Sequence, residues 1–320
     1  MILILTNTDD LTVDYVILRL KELSIPYFRF NVDQFPTFYK IHRSFSNTKK
    51  GSIESPYKIV RLEDISVIWY RRLLLPPKVE FFGQENAPYI QHESRHFLEG
   101  TFLSLSVPWI NPMGNVYIAE RKLLQLQIAQ ECGLVIPKTC ITNSPDKLRQ
   151  FAKNIDVVCK PIYSGLQITP SANYSSYTRE ITPGELLEQD AEICLCPTLL
   201  QERIHKSKDI RITFFGEKAF VVSITGECEQ PIDWRRPGIA LKYKLTNVPE
   251  KIITSCKEMM RRLGLLYAAF DFVTGPSGEY FFLEVNPTGE WAWLDYTLGL
   301  NLRDELIQLL LKAGSNGATL

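Results

Sequence analysis

The 320-residue sequence lacks any surplus of charge: 36 basic and 36 acidic residues cancel. A balanced chain advertises neither a nucleic acid nor a membrane partner, so local clusters must carry recognition. It also lacks a long apolar run. The opening Met1-Ile2-Leu3-Ile4-Leu5-Thr6 is far too short to span a bilayer, and it has neither the basic start nor the small-residue cleavage site of a signal peptide, so it is expected to be a buried first strand. The seven cysteines, Cys132, Cys140, Cys159, Cys194, Cys196, Cys228 and Cys256, are odd in number and include no CxxC pair. That argues against a disulfide framework and a zinc knuckle, and a reducing cytoplasm is the expected compartment. There is no GxxxxGK[ST] and no GxGxxG after the first strand, which leaves P-loop and Rossmann nucleotide sites without support. Internal repeats and low-complexity tracts are missing too.

What is present is ordinary for a globular protein, with 45% hydrophobic and 22% charged residues, and a chain of this length divides into two or three domains. Three are expected: 1–112, a small α/β domain; 113–200, a linker helix and central subdomain; and 201–320, a C-terminal subdomain. In the first, a strand at Ile2–Thr6, a helix over roughly Leu11–Leu23 and a strand at Ile65–Tyr70 follow from periodicity. A helix from about Asn115 to Cys132, closed by Gly133, serves as linker. Strands at 137–142 and 157–160 around a helix near 145–153, a loop or hairpin over 162–177, strands at 198–204, 209–215 and 219–225, and helices over 249–263 and 302–312 complete the expected elements, with 313–320 frayed.

The most informative stretch lies late. Phe270-Asp271-Phe272-Val273-Thr274 and Glu279 to Asn286 are rich in aromatic and branched residues and flank Gly275-Pro276-Ser277-Gly278, which reads as an antiparallel hairpin. Pairing Gly275 with Gly278 sets Asp271 opposite Phe282. Alternation along the strands then puts Asp271, Glu284 and Asn286 on one surface. Two carboxylates and an amide oxygen suit Mg²⁺, which takes oxygen ligands and keeps positions open for phosphates.

A phosphate-binding metal site calls for cations and a base pocket. Lys160 ends the apolar strand Val157-Val158-Cys159, where a lysine is costly unless it meets an anion, and Lys122 sits beside Arg121 early in the linker helix. Leu199-Leu200-Gln201-Glu202-Arg203-Ile204 is an apolar strand turning polar, able to offer backbone groups and a carboxylate to a nucleoside. Asp209 and Arg211 share a strand face, and the planar donor fork of arginine matches phosphate and carboxylate oxygens.

This order and spacing resemble the ATP-grasp superfamily, which holds ATP between two α+β subdomains; the resemblance spans nearly the whole chain. Within the superfamily the sequence is most similar to peptide-modifying enzymes of the MvdC/MvdD type, the microviridin or graspetide synthetases. Trp69-Tyr70-Arg71-Arg72, Lys122 to Gln127, Asp233-Trp234-Arg235 and Leu283 to Trp291 carry that similarity. The resemblance implies an α/β (α+β) ATP-grasp fold behind an N-terminal pre-ATP-grasp domain. It implies ATP and Mg²⁺ as cofactors, with Lys122, Lys160, Gln201, Glu202, Ile204, Asp209 and Arg211 on the nucleotide and Asp271, Glu284 and Asn286 on the metal. Arg211, Arg235 and Lys160 would serve catalysis, with Arg235, and Arg71 or Arg72, holding the acceptor carboxylate. The expected partner is a ribosomal precursor peptide with leader and core, and the expected assembly a homodimer. Gly165 alone stands where many ATP-grasp enzymes carry several lid glycines.

The reaction so implied phosphorylates an Asp or Glu side chain of the peptide and closes an ω-ester or ω-amide ring. Two rivals share the ATP residues: a ligase joining a free amino acid to a peptide or small acid, and a nucleotide-binding module without catalysis. His92-Glu93-Ser94-Arg95-His96 matches the HExxH zinc pattern, but the apolar stripe through Ile90, Phe97, Thr101 and Leu105 leaves both histidines on the flank.

Overall fold

The protein is described here by a computed structural model covering residues 1–45, 50–72, 79–163, 166–168, 173–228 and 230–315. Two compact units divide the chain: Met1–Met113 together with Glu290–Leu320, and Gly114–Gly289.

In the first unit, four parallel strands lie in the order Tyr27–Asn31, Ile2–Thr6, Val67–Tyr70, Trp109–Ile110. All five residues of Ile2–Thr6 are buried, as a strand covered on both faces requires. The helix Leu11–Glu22 follows, capped by the Asp10 carboxylate accepting from the Val13 amide at 3.1 Å, and the C-terminal helix Leu302–Ser315 packs against it and against Val67–Tyr70. A three-stranded antiparallel sheet, Lys40–Arg43, Gly51–Ser55 and Lys58–Arg61, was not anticipated; its strands are short and half exposed, so their pattern carries little signal.

Strand order reverses between Ile2–Thr6 and Val67–Tyr70, which is where open α/β sheets form crevices beyond the strand ends. Arg71 emerges there, but it is only 2% exposed: its Nε donates to Asp10 Oδ2 at 3.2 Å and its Nη2 to Glu290 Oε1 at 2.7 Å. The expectation that Arg71 holds a substrate carboxylate is therefore corrected; the chain's own carboxylates occupy it, as a buried guanidinium demands. Arg72 Nη2 shares the same Glu290 oxygen at 2.6 Å.

The helix Val79–Leu103 is interrupted at Gly83, whose φ is 71°. Its buried residues include Ala87, Leu98, Thr101 and Phe102, whereas Phe97 is 41% exposed and stacks on Phe35. The core-facing stripe is thus rotated from the one expected. His92 and His96 are both exposed, and no cluster of three or more His, Cys, Asp or Glu suited to a metal occurs among the described residues. No helix among them is long and apolar enough to cross a membrane.

Two larger antiparallel sheets lie in the second unit. One runs Arg179–Ile181, Val157–Lys160, Thr198–Glu202, Thr139–Thr142 over a core of Leu148, Ile181, Leu186, Ile193 and Leu200. A short hairpin, Leu166–Ile168 with Asn173–Ser175, follows Lys160; Gly165 lies outside the described residues. The other sheet runs Leu241–Leu245, Lys218–Gly226, Lys208–Phe215, Tyr267–Thr274, Tyr280–Asn286. Ile210, Ile212 and Phe214 alternate into a core shared with Phe270, Phe272, Phe282 and the helix Glu250–Leu263, which leaves Asp209, Arg211, Asp271, Glu284 and Asn286 on the opposite face.

The expected linker helix is two helices, Met113–Ala119 and Lys122–Glu131. Arg121 is extended at the break, and a buried side chain makes the break tolerable. Gln125 Nε2 donates to the Ala119 carbonyl at 2.6 Å and to the Val285 carbonyl at 2.9 Å, while its Oε1 accepts from the Val285 amide at 3.0 Å. Carbonyls freed by a helix end need such partners.

Candidate active site

A cleft of about 570 Å³ opens in the second unit. Lys122, Lys160, Gln201, Glu202, Ile204, Asp209, Arg235, Asp271, Glu284 and Asn286 all line it. Arg211, like Arg71 and Arg72, does not. Arg211 is 5% exposed, and its Nη1 donates to both Asp271 oxygens, at 2.9 and 2.7 Å.

The hairpin delivers its acidic residues by a route the sequence did not reveal. Thr274 pairs with Tyr280 and Phe272 with Phe282, but Asp271 pairs with Glu284, not with Phe282 as expected. Continued without interruption, the register near the turn would set Asp271 opposite Leu283 and turn Glu284 to the other face. A β-bulge absorbs Leu283 and re-aims Glu284, a recurrent use of bulges beside functional sites. Asn286 follows on the same face, its Nδ2 donating to Asp271 Oδ2 at 3.1 Å. Next, the turn through Gly289 runs so close to Arg211 that a Cβ there would lie 2.8 Å from Arg211 Nη2.

Cations converge on this pair. Lys122 Nζ lies 3.4 Å from Glu284 Oε2, and Arg235 Nη1 lies 3.5 Å from Glu284 Oε1. Burial alone would raise the Glu284 pKa, yet Lys122, Arg235 and Lys160 outweigh it and hold it at about 2. Asp271 shifts the other way: burial and the neighbouring Glu284 charge prevail over Arg211. Asp233 fixes Arg235 through Nε at 2.9 Å and Nη2 at 2.8 Å, and it accepts from the Thr178 amide at 3.0 Å. Although burial opposes it, Arg235 drives Asp233 well below the usual carboxylate range.

Lys160 Nζ donates to Gln201 Oε1 at 2.7 Å. Burial, followed by repulsion from Lys122, Arg235 and Lys206, outweighs the attraction of Glu284 and lowers its pKa to about 8. ATP affinity is therefore expected to weaken as pH rises through about 8 and the ammonium is lost, and Lys160→Met should flatten that limb. Titrations of ATP at constant ionic strength across this range measure it.

Asp209 is more committed than expected. Lys206 Nζ donates to its Oδ1 at 2.7 Å and Gln230 Nε2 to its Oδ2 at 2.6 Å, and burial still lifts its pKa to about 6. Lys206 and Gln230 went unnoticed in the sequence because a loop lysine and a loop glutamine carry no pattern. The strand Thr198–Glu202 is interior to its sheet. Its polar end stays bonded to the segments on either side, the Glu202 amide donating to the Lys138 carbonyl and the Arg203 amide to the Asp156 carbonyl, each at 2.8 Å.

The donor set fits a hard divalent cation: two carboxylates and an amide oxygen share one sheet face, with Glu284 ionised across the physiological range.

Residues 1–117 match the family of the MvdD pre-ATP grasp domain. No curated protein matches the chain. Among solved structures, a RiPP-associated ATP-grasp ligase of Chryseobacterium gregarium, in complex with ADP and a leader and core peptide, is 28% identical. It aligns over 97% of this chain and 96% of its own, with a TM-score of 0.88. The macrocyclase MdnC of Microcystis aeruginosa MRC, bound with precursor peptide MdnA, is 29% identical over 98% and 99% of the two chains, with a TM-score of 0.87. The macrocyclase MdnB of the same organism is 27% identical over 97% and 98%, with a TM-score of 0.81. The chain has the fold of ATP-grasp ligases and resembles the MvdC/MvdD-type, RiPP-modifying enzymes among them, its residues 1–117 matching the MvdD-type pre-ATP-grasp domain.

Proposed function

We propose that the protein is an ATP-dependent, ADP-forming peptide ligase. It activates an Asp or Glu side chain of a ribosomal precursor peptide as an acyl phosphate, then closes an ω-ester or ω-amide ring. The observation that carries this reading is the Asp271–Glu284–Asn286 face with Lys122 and Arg235 on either oxygen of Glu284, on a fold shared with an ATP-grasp ligase bound to a leader and core peptide and with a macrocyclase bound to its precursor peptide.

A carboxylate resists attack because it is anionic and would have to expel oxide; phosphorylation supplies a leaving group. The protein's part is then positioning and charge neutralisation. Asp271, Glu284 and Asn286 would hold Mg²⁺, which would supply positive charge to offset that of the phosphates. Lys122 and Lys160 face the phosphates. Gln201 to Ile204 present backbone and side-chain groups to the nucleoside, with Asp209 near the ribose. Arg211 acts from behind, by fixing Asp271. Arg235, tied by Asp233, holds the acceptor carboxylate.

Incubation with Mg²⁺-ATP and a precursor peptide carrying Asp or Glu and Thr, Ser or Lys in its core should release ADP and remove one water from the peptide per ring, read by mass spectrometry. A mass gain equal to an added amino acid would instead identify an amino-acid ligase. Binding of ATP without turnover on any peptide would identify a non-catalytic module.

A further inference from the structure

Among the described residues, six carboxylate side chains line the cleft: Glu120, Glu202, Asp209, Asp233, Asp271 and Glu284. Five have protein partners. Glu202 Oε2 accepts from the Lys138 amide at 3.3 Å, and Asp209, Asp233, Asp271 and Glu284 are held by Lys206, Arg235, Arg211 and Lys122 respectively. Glu120 differs: among the described residues its carboxylate has no hydrogen bond and no ion pair. Its neighbour Arg121 does not close on it; that guanidinium stacks over the Tyr117 ring at 3.8 Å from the centroid. A half-buried, unpaired carboxylate is costly. Desolvation raises the Glu120 pKa, with only a partial offset from Arg121, so it is a better proton acceptor than an ordinary glutamate.

The mount is rigid. Glu120 occupies the break between the helices Met113–Ala119 and Lys122–Glu131, and Gln125 ties the carbonyl of the preceding Ala119 to the strand that bears Glu284 and Asn286. Two residues later, Lys122 reaches Glu284 and the Pro161 carbonyl, the latter at 2.7 Å. Glu120 thus lines the same cleft as Lys122, on a backbone anchored to the acidic strand.

We propose that Glu120 is the general base of ring closure, accepting the proton of the peptide nucleophile as it attacks the acyl phosphate. This rests on the ligase reading above. The nucleophile's oxygen or nitrogen bonds to the acyl carbon, the bond from that carbon to the phosphate oxygen breaks with its electron pair leaving on inorganic phosphate, and the hydroxyl or amine proton passes to the Glu120 carboxylate. Activation by ATP needs no such base, so the two half-reactions separate.

Hydroxylamine separates them experimentally, because it traps an acyl phosphate as a hydroxamate without help from a base. With precursor peptide, ATP and hydroxylamine, Glu120→Gln should form hydroxamate at close to the wild-type rate, while its ring closure falls roughly 100-fold or more, the usual effect of removing a general base. In Glu120→Ala, added acetate should restore part of the ring closure. The proposal is overturned if Glu120→Gln closes rings at the wild-type rate, or if hydroxamate formation falls in step with ring closure, which would make Glu120 a binding or folding residue. Absence of hydroxamate from the wild-type enzyme would instead refute the ligase reading, so the two failures are distinct.

Discussion

Glu284→Gln is expected to lower ATP-dependent dehydration of the precursor by roughly 100- to 1000-fold, the scale on which loss of one preorganised charge-stabilising group acts. The carboxylate is ionised, with a pKa of about 2, and faces Lys122 on one oxygen and Arg235 on the other. An amide of the same shape keeps the strand and its bulge but removes the negative charge, so Lys122, Lys160 and Arg235 are left without their common counter-charge. Those cations still attract a triphosphate. The loss should therefore fall on kcat, with the KM for ATP changed little, and steady-state kinetics on folded variant protein distinguish the two. A variant rate within a few-fold of wild type would remove Glu284 from the site.

The second large effect is on stability. Arg211→Ala should destabilise the protein by about 3–5 kcal/mol, the typical cost of deleting one partner of a buried ion pair, because Asp271 would keep its buried carboxylate with no guanidinium against it. The pH dependence has a definite sign. With Arg211 gone, burial raises the folded pKa of Asp271 above its unfolded value, so the penalty is fully present above the folded pKa and is relieved as pH falls toward the unfolded one. Urea denaturation at acidic and neutral pH should thus show the variant closer to wild type in acid. Replacing both residues, Arg211→Met with Asp271→Leu, should recover much of the stability without activity, since apolar substitution of a buried pair is often neutral. A loss under about 1 kcal/mol in the single variant would mean that Asp271 finds another partner.

The sheet face that bears the acidic residues was legible because its two-residue period is strong: Ile210, Ile212 and Phe214 point one way, Asp209 and Arg211 the other. The right face was nevertheless assigned to Glu284 from a wrong register. The expected pairing of Asp271 with Phe282 and the observed pairing with Glu284 differ by two residues, and a shift of two preserves the face. The bulge at Leu283 left no local mark, since a leucine is as suited to a regular strand as to an irregular one. The break at Glu120–Arg121 was hidden for a related reason. The apolar pattern from Asn115 to Cys132 runs on unbroken, and what replaces the helix there is a hydrogen bond from Gln125 to a strand 160 residues away, which no window of sequence contains. For the same reason Glu120 could not be recognised as a cleft residue, and Arg71 read as an available cation when Asp10 and Glu290 already hold it.

Glu290–Leu320 is built into the same compact unit as Met1–Met113, and its helix Leu302–Ser315 covers the first helix and the strand Val67–Tyr70. During synthesis, then, the amino-terminal sheet must wait on the ribosome with that apolar flank bare until more than 170 intervening residues, Gly114–Gly289, have been made. The unit that starts first is finished last, and chaperones that shield exposed apolar surface have their longest opportunity there.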